Sequence, residues 1–215
     1  MQIEVWSDVI CPWCYIGKRK LEMALAKFPH SEQVQVVWRS YELDPDAPRQ
    51  HAGTLNEMLA QKYDVSPEEV AAMNARVTAA AREVGLDYQL ERARPGNTLD
   101  AHRLLHFAAA RQLGDAASER LMRGYFVESL PIGDREALAR LAPEFGIPQH
   151  EARALLESNA YTEAVRADEA RAADFGITGV PCFVIDEHIV IAGAQPVEVF
   201  ADTLRQAWRE SGAET

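Results

Sequence analysis

Hydrophobic and polar positions change rhythm along this chain in a way that separates its ends from its middle. Residues 2–6, QIEVW, alternate with period two, the pattern of a half-buried strand. Across 11–28 the apolar positions Ile16, Leu21, Leu25 and Phe28 fall at helical spacing, and Pro29 closes the run. Residues 34–43, VQVVWRSYEL, are rich in β-branched and aromatic side chains and predict a second strand. Strand, helix and strand with a crossover of this length favour a parallel βαβ unit.

After DPDAP (44–48) the rhythm becomes helical and stays so from about Thr54 to Phe175. SPEE (66–69) reads as a capping box with Pro67 at the first helical position, and Gly85 can end that helix. RPGNT (94–98) is a loop from which Asn97 or Thr98 can cap a helix running to Gly114. Further helices fit 115–129, 134–145, 149–158 and 160–175, with Gly146 and Gly176 as stops. Strand character returns at CFVIDEHIVIAG (182–193), where Cys182–Ile185 and Ile189–Ala192 flank a polar Asp186-Glu187-His188 and predict a hairpin. A last amphipathic helix fits 196–209, opened by Pro196 and burying Val199, Leu204 and Trp208. There is no internal repeat and no low-complexity segment. Neither β-half can bury its faces alone, so the expectation is one α/β sheet interrupted by a helical block.

Composition narrows the picture. The 215 residues suit one domain with a large insertion, or two small domains, and 47% apolar against 26% charged residues is an ordinary globular balance. The net charge of −11 argues against nucleic acid, whose phosphates need clustered Lys and Arg. GKRK (17–20) is the one basic cluster; Lys18, Arg19 and Lys20 read as the solvated face of the first helix, with attraction of acidic substrates as the alternative. No stretch approaches the ~18–20 apolar residues of a membrane-spanning helix. MQIEVWSD has neither the basic nor the apolar region of a signal peptide, so a cytoplasmic location without a membrane partner is expected.

The three cysteines are Cys11, Cys14 and Cys182. CPWC (11–14) can be a metal clip, a structural disulfide or a reactive dithiol; a cytoplasmic chain rarely keeps structural disulfides, which favours the reactive reading over the structural one. A structural zinc site wants four ligands, and no second Cys-x-x-Cys exists; His102 and His106 of HRLLH share a helical face but lack a zinc-protease Glu. No metal is expected there: one of these histidines should pack and the other be solvated. With Cys11 at the N-cap and Pro12 at the first helical position, the Cys11 sulfur meets unpaired N–H groups and the positive end of the helix dipole, which favours thiolate. Cys14 then lies one turn inside on the same face, at a spacing that lets the sulfurs bond.

CPWC together with GVPCFVI (179–185) resembles the DsbA-like branch of the thioredoxin superfamily. SDVICPWCYIGK, NTLDAHRLLHFA, GVPCFVI and AGAQP resemble, in order, segments of its FrnE-like group, and the resemblance covers nearly the whole chain. It implies a thioredoxin-like fold with a large all-helical insertion: residues 1–48 and 176–215 form the thioredoxin-like part and 49–175 the insertion. It implies a thiol–disulfide oxidoreductase in which Cys11 attacks, Cys14 resolves, and Pro181, preceded by Val180, is a cis-proline opposite the dithiol. Pro12, Trp13, Val180 and Pro181 would meet the substrate, a protein or small-molecule thiol or disulfide. No cofactor is needed beyond the cysteine pair, although glutathione fits as co-substrate, and a homodimer is left open. Related glutathione-dependent isomerases and kappa-class transferases commonly carry serine at the first motif position, so retention of both cysteines argues for dithiol redox. That isomerase or transferase chemistry and a holdase chaperone are the alternatives.

Other residues admit two readings each. Trp13 either packs on substrate or only shapes the loop. Asp8 either repels charge at Cys11 or makes turn hydrogen bonds. Asn97 and His102 line a cleft, or cap and pack. Gly193, Ala194 and Gln195 offer backbone donors, or simply turn the chain. Cys182, which departs from the family's usual residue after the cis-proline, opens an apolar strand and reads as a small buried hydrophobe with a raised pKa.

Overall fold

The computed structural model describes residues 1–212; the final three residues of the expected 176–215 segment lie outside the described residues. Its sheet has four strands in the order β2-β1-β3-β4. β1 (Gln2–Ser7) pairs parallel with β2 (Gln35–Ser40) and antiparallel with β3 (Cys182–Ile185), which returns as β4 (Ile189–Ala192). Strand alternation sorts the two faces. Ile3, Val5, Phe183 and Ile185 pack with Leu21 of α1 (Pro12–Leu25) and with Phe200, Leu204 and Trp208 of α9 (Val197–Glu210). Trp6, Cys182 and Val184 face the other way, onto Ala172 of α8 (Thr162–Asp174) and Ile177.

Between β2 and β3 the chain is helical: α2 (Leu55–Tyr63), α3 (Pro67–Glu83), α4 (Leu99–Ala109), α5 (Gly114–Glu128), α6 (Arg135–Leu141), α7 (Gln149–Glu157) and α8. Ser66 and Glu69 close the expected capping box, and Thr54 with Glu57 makes a second one at α2. Asn97, rather than the N-cap residue Thr98, caps α4 by accepting the Leu99 N–H at 3.0 Å. α4 stops at Ala109, short of the expected Gly114, because Gly114 already opens α5. The helix expected over 134–145 tightens after Leu141 into a 3₁₀ turn that includes Pro143.

α1 is shared between two cores. Leu21 and Ala24 face the sheet, whereas Cys14, Tyr15 and Ile16 pack into the helical block with Leu104, Leu121 and Phe126. This double role overturns the reading of Lys18 as solvated. It is buried, ion-paired to Glu22, to Asp115 at 3.0 Å and to Glu119 at 3.6 Å, with its ammonium 5.5 Å over the Trp38 ring. Burial alone would lower its pKa, but Glu22 and Asp115 outweigh that and raise it. Val199 is a second correction: it is exposed, and the buried stripe of α9 runs through Phe200, Leu204, Ala207 and Trp208.

Candidate active site

The turn from β1 into α1 carries the dithiol. The Cys11 N–H donates to the Asp8 carbonyl at 3.1 Å, which sets Cys11 as N-cap in an extended conformation (φ −81°, ψ 114°), and Pro12 follows at a position where its missing N–H costs nothing. The Cys14 N–H donates back to the Cys11 carbonyl at 3.0 Å. An N-cap Ser or Asp would turn its side chain onto the helix N–H groups. Cys11 does not; its Sγ lies 3.5 Å from the Val180 carbonyl oxygen. Both cysteines are free thiols and buried, Cys11 at 5% exposure and Cys14 at 1%.

The Val180–Pro181 peptide is cis. Pro181 is held over α1 by a glycine: a Cβ on Gly17 would stand 3.1 Å from Pro181 Cγ and 3.1 Å from Phe183 Cζ. The fold therefore brings Cys11, Cys14, Pro12, Val180 and Pro181 together, with Trp13 on the rim at 41% exposure. Burial, and then the neighbouring Cys11, push the Cys14 thiol well above its ordinary pKa, while the Ser7 side chain and the Asp8 backbone pull it down. Cys14 is thus held as a thiol behind the outer sulfur. Cys182 packs against Trp6 and Val184, and burial raises its pKa as well.

Asp8 is fully buried and pins the turn. Its carboxylate accepts the Leu43 N–H at 2.8 Å and lies 3.3 Å from His102 Nε2. His102 is therefore the packed histidine. His106 is not the solvated one expected; it reaches Asp168 at 3.1 Å and Ser40 at 3.2 Å. The two imidazoles serve different carboxylates and do not converge on a shared point. Asn97 caps α4 and donates to the Pro45 carbonyl at 2.9 Å. The Gly193 and Gln195 N–H groups are spent on the Pro181 and Gly193 carbonyls, at 2.8 and 2.9 Å.

Sequence reasoning missed two features. Tyr88 donates to the Pro12 carbonyl at 2.7 Å and stacks on Phe126 with ring centroids 4.6 Å apart; burial raises its pKa. The second is an apolar cavity of about 320 Å³ that opens from Cys11, Trp13 and Val180 under α2 and α3. Leu55, Met58 and Leu59 give it a wall. Their i, i+3, i+4 spacing was the available signal, but it does not say what the apolar face covers. The arrangement supplies a sulfur at a helix N-terminus, a second thiol one turn behind it, a carbonyl beside the first, and an apolar recess next to both.

Comparison with known proteins agrees with this fold. The family model described as DSBA-like thioredoxin domain matches residues 2–205. A probable DsbA oxidoreductase from Streptomyces coelicolor is 44% identical, with a TM-score of 0.93 over 98% of this chain and 91% of that one. The uncharacterized protein YwbO of Bacillus subtilis (strain 168) is 28% identical over 202 residues, 93% of this chain and 94% of its own. A 2-hydroxychromene-2-carboxylate isomerase shares the fold, with a TM-score of 0.73 at 14% identity and full coverage of both chains.

Proposed function

The chain belongs to the DSBA-like thioredoxin domain family, and from that premise we propose that it is a thiol–disulfide oxidoreductase working through Cys11 and Cys14. Cys11, as thiolate, attacks one sulfur of a substrate disulfide; the S–S bond breaks and the leaving sulfur takes a proton. Cys14 then loses its proton and attacks Cys11 Sγ, which forms the Cys11–Cys14 disulfide and frees the second substrate thiol. Run backwards, the same steps oxidise a dithiol. The Val180 carbonyl beside Cys11 and the Pro181 ring shape the surface on which the substrate lies, and Trp13 covers its rim. The pair needs no metal or organic cofactor, and glutathione is a suitable small co-substrate. In this reading 49–175 is an insertion into a thioredoxin-like unit made of 1–48 and 176–215, and the protein works in the cytoplasm.

One observation carries the proposal: a cysteine N-caps α1 with its sulfur turned to the Val180 carbonyl, while a second, more deeply buried cysteine sits one turn behind. A serine at position 11 would suit activation of bound glutathione; a cysteine backed by Cys14 suits exchange. The test is trapping. Cys14→Ser should accumulate mixed disulfides through Cys11 when exposed to insulin with its disulfides intact or to glutathione disulfide, read by mass spectrometry. Cys11→Ser should neither trap nor turn over, and the proposal fails if it reduces insulin as fast as the parent. A holdase would keep its activity with both cysteines replaced.

A further inference from the structure

A second, smaller cavity of about 90 Å³ adjoins the apolar recess beside Cys11, and His51 and Pro95 line both. Arg49, Arg94 and His51 are among the residues that line it. A water needs roughly 10–15 Å³ on this measure, so the space suits a carboxylate-sized group with some of its hydration.

The electrostatics are unusual for a chain of net charge −11. The buried Asp100 carboxylate is shared by three guanidinium groups: Arg103 at 2.6 Å, Arg135 at 2.6 Å and Arg49 at 3.7 Å. The backbone of Arg94 bridges to Pro131, while its side chain makes no hydrogen bond or ion pair among the described residues. The other nearby carboxylates are committed elsewhere. Glu57 caps α2 through the Thr54 N–H at 2.8 Å, and Asp134 caps α6 through the Glu136 N–H at 2.9 Å. Three arginines thus share one carboxylate, and one of them, Arg49, lines the cavity together with Arg94.

The segment that presents Arg49 and His51 is held firmly in place. The Arg49 carbonyl passes between Gly96 and Gly133, where a Cβ would stand 2.2 and 1.7 Å from its oxygen, so no side chain fits at either position. Backbone bonds on both sides, Asn97 N–H to Pro48 at 2.9 Å and His51 N–H to Pro95 at 3.1 Å, fix the strap. An arrangement that excludes side chains at two positions to pass one arginine's backbone positions Arg49 and His51 beside Arg94.

We propose that this cavity is an anion subsite, and that the disulfide partner is a small thiol-bearing carboxylate whose apolar body fills the recess between Cys11 and His51. The proposal rests on the exchange reading above. The ligand disulfide is attacked by Cys11, its S–S bond breaks and the outgoing thiolate takes a proton from solvent. Cys14 loses a proton to solvent and displaces the bound half as thiol, so that two electrons pass from the protein pair to the ligand. The arginines hold the carboxylate and take no part in the electron transfer; their guanidinium geometry suits a carboxylate.

The test uses the full chain carrying Cys14→Ser, so that reaction stops at the first attack. Second-order rates are measured with dithiobis(nitrobenzoate), an aromatic disulfide with carboxylates, and with the neutral dithiodipyridine. The ratio of the two rates removes the intrinsic reactivity of Cys11. Adding Arg49→Ala and Arg94→Ala together should lower that ratio about tenfold, the scale of one lost charge-assisted hydrogen bond. Should the double variant fail to fold, Arg94→Gln alone should lower it about threefold, since the Arg94 side chain has no partner to lose and its backbone bridge to Pro131 is kept. A ratio unchanged within about twofold overturns the anion subsite while leaving exchange intact. If the parent reacts through Cys11 with neither reagent, the exchange reading itself falls and takes this one with it.

Discussion

Gly17→Ala tests how closely the fold couples the dithiol helix to the loop across from it. Gly17 lies in α1 three residues after Cys14, and a methyl there would meet Pro181 Cγ and Phe183 Cζ at 3.1 Å each. Carbon atoms prefer about 3.5–4.0 Å, so two neighbours must each give by about half an ångström. Two stability effects oppose one another. Alanine in a helix interior is favoured over glycine by about 1 kcal/mol, while overpacking a filled core costs about 1–3 kcal/mol. The net loss should be small, about 1 kcal/mol by difference. Phe183 is boxed between α1 and Phe200, whose ring stands edge-on at 4.8 Å, so more of the movement should fall on Pro181. A displacement of about 1 Å at a reacting centre can cost a hundredfold, so half of that should slow exchange by about tenfold. Urea unfolding gives the stability, and the rate of adduct formation in a Cys14→Ser background gives the function. A variant that loses about 3 kcal/mol or more would show that neither neighbour can yield. A variant with parental adduct rates would show that the contact does not position the loop at all.

Two further substitutions probe buried groups away from the dithiol. Cys182→Ala should keep its exchange rate and lose about 1 kcal/mol for a small cavity, and thiol labelling of the reduced protein should reach Cys11 first and Cys182 last. Because burial raises the folded pKa of Cys182, its stabilising contribution is complete below the ordinary thiol value near ~8.5 and fades as pH rises through the folded value, so the variant's stability should fall less steeply in alkali; rapid labelling of Cys182, or a Cys11–Cys182 disulfide on mild oxidation, would contradict this. Glu4 is buried on β1 with Arg39 at 2.7 Å and Arg171 at 2.7 Å; burial raises its pKa, but the two arginines outweigh that and hold it below the usual value. Glu4→Gln should cost about 2 kcal/mol at neutral pH, less than a fully buried pair because both arginines reach solvent. That deficit should shrink as acid protonates Glu4 in the parent, and a deficit constant from neutral to acid pH would refute the assignment.

Much of this could be read from local pattern. The period-two run at β1, the polar Asp186–His188 tip between β3 and β4, and the Ser66 capping box are each written in adjacent residues, and each forms where expected. The dithiol was legible for the same reason, since an N-cap followed by proline is a local statement. What was not legible depends on partners far along the chain. Lys18 is buried because Asp115 and Glu119 arrive from α5 to neutralise it. His106 is held by Ser40 and Asp168, from elements on either side of it in sequence. Val199 was misjudged because the amphipathic pattern of α9 tolerates a rotation of one position, and only the sheet decides which stripe is covered. The apolar recess and its arginines are junctions of several loops, which no single segment announces.

The position of β1 in the sheet has a consequence for biosynthesis. β1 pairs with β2 soon after both are made, but its other neighbour, β3, lies beyond the whole helical block, and Cys11 is separated from Val180 by 169 residues. At about 5–20 residues per second, the ribosome takes roughly 8–34 s to bridge that interval. During it, the nascent chain carries the dithiol without the loop that will face it and with one side of its central strand unpaired, an open edge for mispairing. A low-contact-order fold would complete such a site almost as it emerged; here Cys11 and Cys14 are translated early and enclosed late. Attack on a disulfide of the surroundings, which would leave Cys11 or Cys14 in a mixed disulfide and release the other half as thiol, is therefore a hazard while the chain is still being made.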